Sequence, residues 1–201
     1  MPTITLQPDE SSGYDSYTTN YNNTINYGTE TILRTGVQAG YAISEVIKFD
    51  LSPLVRATII SATIYQTCVA YGGSQTLTFY GCLRNWVESE VCGAYYSGTN
   101  PWTVGCGNGP GTDRDASSAG AMSVTGTGQF SASLSASLFQ EWVNGVRQNY
   151  GFVAIGYFAN NVYNDFASSS HATASYRPKL VIDFVRSSGG VCNLSQGFGV
   201  M

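Results

Sequence analysis

Catalysis needs side chains of the right type held at the right spacing, and this chain offers few of them. Its single histidine, His171, lies in the polar run Ser168-Ser169-Ser170-His171-Ala172-Thr173. Ser169, His171 and Asp165 supply the residue types of a hydrolytic triad. A triad, however, is held on separate rigid elements, and neighbours in one polar loop do not meet that requirement. Glu88 and Glu90 follow Trp86 at a spacing of two, which on a strand brings both carboxylates to one face, as a glycosidase would need. Solvated or turn-bonding carboxylates explain them more simply. Asp113 and Asp115 flank Arg114 in a glycine-rich stretch, where calcium could find carboxylate and carbonyl oxygens, yet too few ligands gather for an EF-hand-type loop. The chain is therefore read as a non-enzyme with no cofactor and no resident metal, calcium being the one ion with any candidate ligands.

The five cysteines, Cys68, Cys82, Cys92, Cys106 and Cys192, form no CxxC pair, so the ligand spacing of a zinc site is missing. Cys68 and Cys82 flank Gly72-Gly73 and can face each other across a hairpin, and Cys92 and Cys106 can staple the loop between them. The alternative is that each is a small buried apolar residue.

Sugar recognition fits the residue types better. Flat aromatic faces flanked by amides and hydroxyls recur in small-ligand pockets, and the chain supplies Tyr95, Tyr96, Trp102, Tyr157 and Tyr163 with Asn160, Asn161 and Asn164. Tyrosines also decorate strand surfaces and subunit contacts, so both readings stand at this stage.

The elements that must position these residues are mostly strands. At 201 residues the chain has the size of one jelly-roll-like domain, able to bury roughly 70% of its unfolded surface. It is 43% apolar and only 11% charged, too apolar for disorder. Its net charge of −4 gives no basic footprint for nucleic acid, and no apolar run approaches the ~18 residues of a membrane span. Alternating apolar runs predict strands at 3–7, 30–35, 43–50, 58–69, 76–84, 151–158 and 179–185. Tyr71-Gly72-Gly73-Ser74-Gln75 reads as a hairpin loop. One segment departs from this pattern. Leu134, Leu138, Phe139, Trp142, Val143 and Val146 follow helical spacing, with Ser133 or Ser135 as a start and Gly145 as a stop. Residues 93–130 read as a long Gly/Ser/Thr-rich excursion. Phe49, Ile64, Leu77, Trp142, Phe152, Leu180 and Ile182 are the expected core.

These pieces resemble the DNRLRE domain family, whose modules are also classed among carbohydrate-binding modules. The resemblance runs over 13–185 and is carried by Asp15-Ser16-Tyr17, Asn26-Tyr27-Gly28, Lys48-Phe49-Asp50-Leu51-Ser52 and Ser61-Ala62-Thr63-Ile64. Further on it continues in Trp86-Val87-Glu88, Trp142-Val143-Asn144-Gly145, Asn149-Tyr150-Gly151-Phe152 and Arg177-Pro178-Lys179-Leu180. Two departures stand out: Cys92-Gly93 where such modules tend to carry Thr-Trp, and serines across 131–137 in place of an acidic position before the helix. The resemblance implies an all-β, jelly-roll-like antiparallel β-sandwich with one short amphipathic helix, attached to surface, wall or particle proteins and sometimes binding polysaccharide. It implies no reaction.

The expected organisation is an N-terminal extension (1–12), the sandwich (13–185) and a Gly/Ser hinge with an apolar tail (186–201). Val191, Leu194, Phe198, Val200 and Met201 are expected to pack on a neighbour, since soluble monomers seldom expose such surface. The first residues resemble no secretory signal. The functional expectation is thus a virion structural protein, a capsid decoration, cement or fibre protein on a phage particle surface, homo-oligomeric and in contact with a capsid or other particle protein. The alternatives are a secreted or wall-associated polysaccharide-binding module and, behind it, a glycan-cleaving enzyme.

Overall fold

The computed structural model describes residues 1–8, 14–157 and 161–186, with the side chain of Tyr157 excepted. That side chain, Asn160, Cys192 and the apolar set Val191, Leu194, Phe198, Val200 and Met201 lie outside the described residues. In chain order the strands are β1 (Thr3–Leu6), β2 (Tyr14–Thr19), β3 (Ile32–Gln38), β4 (Tyr41–Lys48), β5 (Ala57–Ala70), β6 (Gln75–Gly81), the short β7 (Tyr95–Ser97) and β8 (Asn100–Pro101), then β9 (Gly120–Val124), β10 (Gly128–Leu134), β11 (Phe152–Tyr157), β12 (Tyr163–Ala167) and β13 (Lys179–Arg186), with the helix α1 (Ala136–Val143) between β10 and β11.

All but β7 and β8 join one antiparallel sheet in the order β1-β13-β5-β12-β3-β4-β11-β6-β9, with β10 added to β5 and β2 to β4. The sheet curls until β5, β13 and β10 face β4, β11, β6 and β9 across a shared core, which makes it sandwich-like. The alternation read from the sequence explains which way each strand faces. Leu77 and Phe79 on β6, Ala132 and Leu134 on β10, and Leu180 and Ile182 on β13 are buried, while Thr76, Ser131 and Ser133 are exposed. All seven residues of the expected core fall in this one cluster. β1 lies along β13, latched by Asp183, whose carboxylate accepts from the hydroxyls of Thr3 and, at 2.8 Å, Ser61.

Several sequence expectations are corrected here. The excursion expected over 93–130 contains β9 and the start of β10, strands whose small and hydroxyl residues hide the inward-facing Met122, Val124, Ala132 and Leu134. β2 and β12 escape an alternation search because both are polar and almost wholly buried. The Tyr71–Gln75 turn is no hairpin, since β5 and β6 do not pair; it carries the chain from one half of the sandwich to the other. Its glycines are there for close approach: a Cβ on Gly72 would strike the Tyr163 carbonyl, and one on Gly73 would lie 2.7 Å from Val162 Cγ1. The four described cysteines are buried free thiols, so neither staple exists among them. Cys68 belongs to the main core and Cys82 to a second cluster, which separates the first pair. Burial pushes the Cys68 thiol up to about 11 and those of Cys82 and Cys106 up to about 12, leaving little nucleophilic thiolate.

The helix is shorter than its sequence pattern. Leu134 ends β10, and Val146 lies exposed beyond Gly145, whose φ of +69° ends the helix in the left-handed region. Ser135 caps the start by accepting from the Leu138 amide at 3.4 Å. Gln140 then ties the helix to β5, accepting from Ile59 N at 2.8 Å and donating to Ala57 O at 3.1 Å. The inner helix face places Phe139 and Trp142 against Phe152, with ring centroids 5.8 and 5.1 Å away. Trp142→Ala is expected to cost about 3–5 kcal/mol as a large-to-small core change. Urea unfolding checks this, and a loss under about 1 kcal/mol would remove Trp142 from its role as a core anchor.

A polar pair bridges the two halves inside the sandwich. Gln66 on β5 donates its Nε2 to Glu45 Oε1 on β4 at 2.5 Å, while Glu45 Oε2 and Gln66 Oε1 have no partner among the described residues. Near it, Asp15 on β2 accepts from Ser169 N at 2.7 Å and from the Ser169 hydroxyl at 3.1 Å. Burial pushes the Glu45 carboxyl up to about 8 and that of Asp15 up to about 7, the Asp15 charge adding to the cost at Glu45 and the Glu88 charge to the cost at Asp15. Unfolded, both groups titrate near pH 4. Between that value and the raised ones the folded state holds more protons, so stability must fall as pH rises from about 4 to about 8. The expected outcome is a melting temperature that drops over this range, with a shallower drop in Glu45→Gln. Parallel slopes for the two proteins in calorimetric scans would contradict a protonated Glu45.

Candidate functional site

The carboxylates that could do chemistry are occupied. Glu88 Oε1 accepts from Asp15 N at 2.9 Å and Glu90 Oε2 from Gly98 N at 2.7 Å, so the two serve separate turns. Burial raises the Glu88 carboxyl above the usual range, against the lowering effects of the Asp15 amide and Lys48. Asp113 is fully buried and spends both oxygens on the chain. Oδ1 accepts from Thr103 N at 2.9 Å and Arg84 Nε at 3.2 Å, and Oδ2 accepts from Val104 N at 2.8 Å and Gly109 N at 3.2 Å. Asp115 pairs with Arg147 at 2.8 Å. The calcium expectation at Asp113 and Asp115 therefore fails for want of free oxygens. Among the described residues no three His, Cys, Asp or Glu side chains gather as metal ligands. The triad residue types are likewise dispersed: Ser169 bonds Asp15, His171 Nδ1 accepts from Thr173 N at 3.1 Å, and Asp165 pairs with Arg34.

The aromatic candidates divide into two groups. Trp102 is buried, donates its indole N–H to Cys92 O at 2.9 Å, and lies 5.5 Å from the ring of Tyr96. It belongs to a second apolar cluster with Val46, Val153, Ile155 and Trp86. Tyr95 and Tyr96 are half-buried on the short β7, and the Arg84 guanidinium sits 5.5 Å over Tyr96. This group covers the outer face of β4 and β11. As a stacking platform Trp102 is corrected, because a ring sealed on both sides has no face to offer.

Asn161 and Tyr163 do come together. With Ala70, Tyr71, Gly72 and Asp165 they line a cleft of about 380 Å³ at the end of β5. Tyr71 is exposed, its hydroxyl 2.8 Å from Ser74 Oγ, and Asn161 is exposed with a φ of +68°. The Arg34 guanidinium, not itself a lining group, holds two of the lining residues. It grips Asp165 at 2.7 and 3.1 Å and lies 4.5 Å over the Tyr163 ring. The Asp165 hydrogen bond holds the Arg34 pKa above its ordinary value. Asn164, the next side chain along β12, points elsewhere. Its Oδ1 accepts from Gly72 N at 2.7 Å and Gly73 N at 3.3 Å, and its Nδ2 donates to Gly73 O at 3.0 Å. It fixes the turn that carries Tyr71 and is not free to meet a ligand.

Sequence reasoning missed Tyr71 and Arg34 as site residues. Tyr71 was legible only as part of a turn, and Arg34 only as an isolated cation 131 positions from its carboxylate partner. The cleft offers two tyrosine rings, an exposed amide and a fixed ion pair, a set suited to holding a hydroxyl-rich ligand and lacking any activated nucleophile.

The repeated motifs prove to be scaffolding. In Asn26-Tyr27-Gly28, Asn26 Oδ1 accepts from Gly28 N at 3.1 Å, and Nδ2 donates to Glu88 O at 2.6 Å and Val91 O at 2.8 Å. In Asn149-Tyr150-Gly151, Asn149 Oδ1 accepts from Gly151 N at 3.0 Å and Nδ2 donates to Phe49 O at 2.9 Å. Asp50 closes the signature turn by accepting from Ser52 N at 2.9 Å and Ser52 Oγ at 2.8 Å. Gly93, one of the two departures, is required by close approach, because a Cβ there would meet the Thr19 carbonyl.

Comparison with known proteins bears on residues 6–94, which match the model of carbohydrate-binding module family 96. No curated protein matches the chain. The matched segment contains Arg34 and Tyr71 of the cleft together with β4 and β5, and it is similar to a class of non-catalytic binding modules. The chain thus carries a carbohydrate-binding-module-like region within an all-β, sandwich-like fold.

Proposed function

We propose that the protein is a non-catalytic polysaccharide-binding module of the DNRLRE type, with the Tyr71/Tyr163 cleft as its binding site. The observation that carries this reading is the match of residues 6–94 to a carbohydrate-binding module family, joined to a cleft whose lining suits a sugar. Tyr163 and Tyr71 offer ring faces to the C–H faces of a pyranose, while the Asn161 amide and the Asp165 carboxylate direct hydrogen bonds to its hydroxyls. The test is calorimetric titration with soluble galactomannan, xyloglucan and mixed-linkage β-glucan. Tyr163→Ala is expected to weaken binding at least tenfold, equivalent to about 1.4 kcal/mol, with folding intact and no reducing ends released by either protein. Equal binding by the variant, or turnover abolished by Glu88→Gln, overturns the assignment.

A finer reading places the module on a virus particle, as a decoration, cement or fibre component in homo-oligomeric contact with a capsid protein. It is favoured by the sequence of residues 191–201, where Val191, Leu194, Phe198, Val200 and Met201 follow Ser187-Ser188-Gly189-Gly190. Several such side chains buried together, at roughly 1.5–3 kcal/mol each, suffice to anchor a subunit. Deleting 190–201 is expected to leave the sandwich folded and to weaken self-association or particle binding. Unchanged sedimentation and unchanged retention on particles would remove the support for this reading.

A further inference from the structure

A second cleft, of about 540 Å³, opens one step further back along β5. Thr67, Val69, Gly128, Gln129, Ser175 and Tyr176 line it, and among the described residues no charged side chain lines it. Its volume falls within the roughly 300–1,000 Å³ of small-ligand pockets. Tyr176 is 45% exposed, the highest value among the tyrosines of either cleft, and its ring is backed by His171 with centroids 5.5 Å apart and planes 30° apart. Thr67 is only 6% exposed and backs the cleft, whose polar groups open to a ligand are the exposed Gln129 amide and Ser175 hydroxyl.

The two clefts are lined by consecutive residues of the chain, the second by the end of β5 and the first by its last residue and the turn that follows. Thr67, Cys68 and Val69 line the second, and Ala70, Tyr71 and Gly72 line the first. Three residues of extended chain cover about 10 Å, a distance that a short oligosaccharide spans. We propose that the Thr67/Gln129/Tyr176 cleft is a second carbohydrate subsite that takes an uncharged sugar of the same chain occupying the first, so that the module grips a polysaccharide along its length and not at its end. The Tyr176 ring stacks on a sugar face, and the Gln129 amide and the Ser175 hydroxyl bond its hydroxyls. The absence of charge from the lining selects a neutral sugar. This inference rests on the carbohydrate-binding reading of the first cleft.

The experiment titrates wild type, Tyr163→Ala, Tyr176→Ala and Gln129→Ala with the same three neutral polysaccharides and with disaccharides cut from whichever binds, at low and high salt. Tyr176→Ala and Gln129→Ala alter exposed side chains, and their melting temperatures report that they are folded. Expected are a tenfold or greater loss of polymer affinity in Tyr176→Ala, a smaller loss in Gln129→Ala, unchanged disaccharide binding at the first cleft, and no salt dependence. Polymer binding by both variants at wild-type strength, while Tyr163→Ala loses it, overturns the second subsite and leaves the first. Affinity that collapses at high salt overturns the uncharged ligand. Wild type that binds none of the polysaccharides overturns the carbohydrate reading and this inference together.

Discussion

Phe152 is the contact on which the rest of the fold depends. Its ring meets Phe79 on the next strand and both Phe139 and Trp142 on the helix, all at centroid distances between 5.1 and 6.1 Å and mostly edge to face. Such geometry adds about 0.5–1.5 kcal/mol per pair beyond burial. Phe152 begins β11, in the middle of the curled sheet, so fixing it fixes the register of β4 on one side and β6 on the other. The residue before it, Gly151, has a φ of +74° and passes so close to the Ile47 carbonyl that no side chain could fit. Asn149 and Gly151 thus set where Phe152 enters the core, and the helix closes over it.

A sandwich strand usually shows one face to solvent, but β4 and β11 do not. Val46, Val153 and Ile155 on their outer face are covered by Trp86, Val91 and Trp102 from the segment between β6 and β9. This explains why the segment keeps a defined path with little regular structure. Asp113 substitutes for a ladder there, collecting three backbone amides and one guanidinium on a single buried carboxylate. A carboxylate so placed is tolerable only when its lone pairs are filled, which is why the ligand-like cluster of Asp113, Arg114 and Asp115 turns out to be an internal brace.

How much was legible follows from the same physics. Strands with one apolar face, such as β6 and β13, declared themselves by alternation, and the family-like turns at Asp50 and Asn149 were readable because an Asx residue bonds within its own neighbourhood. β2 and β12 were not readable as strands: Asp15, Thr18, Asn164 and Asp165 are buried by partners more than 25 positions away. The aromatic candidates expose the same limit. A flat ring serves a core or a ligand with equal chemistry, and only the covering of its second face decides. Trp102 is covered and Tyr71 is not, although nothing local in the sequence distinguishes them. Of the two readings of the cysteines the disulfide one fell for a related reason, since Cys68 and Cys82 flank a turn that is no hairpin.

The cleft and the core are two faces of one strand. Along β12, Asn164 and Phe166 point inward, to the Gly72-Gly73 turn and the main core, while Tyr163 and Asp165 line the cleft. The Arg34–Asp165 pair is partly shielded from water, with both side chains less than a quarter exposed, so it outweighs an ordinary surface ion pair in fixing the Tyr163 ring. The Asn164 amide does the same for the backbone bearing Tyr71. Rotamer and backbone freedom are therefore surrendered during folding, not at the moment a ligand arrives, and affinity loses less to ordering. On the proposed reading a weakly polar rim of tyrosines gains most from this arrangement, because each ring–sugar contact is small and survives only if the rings already stand where the ligand needs them.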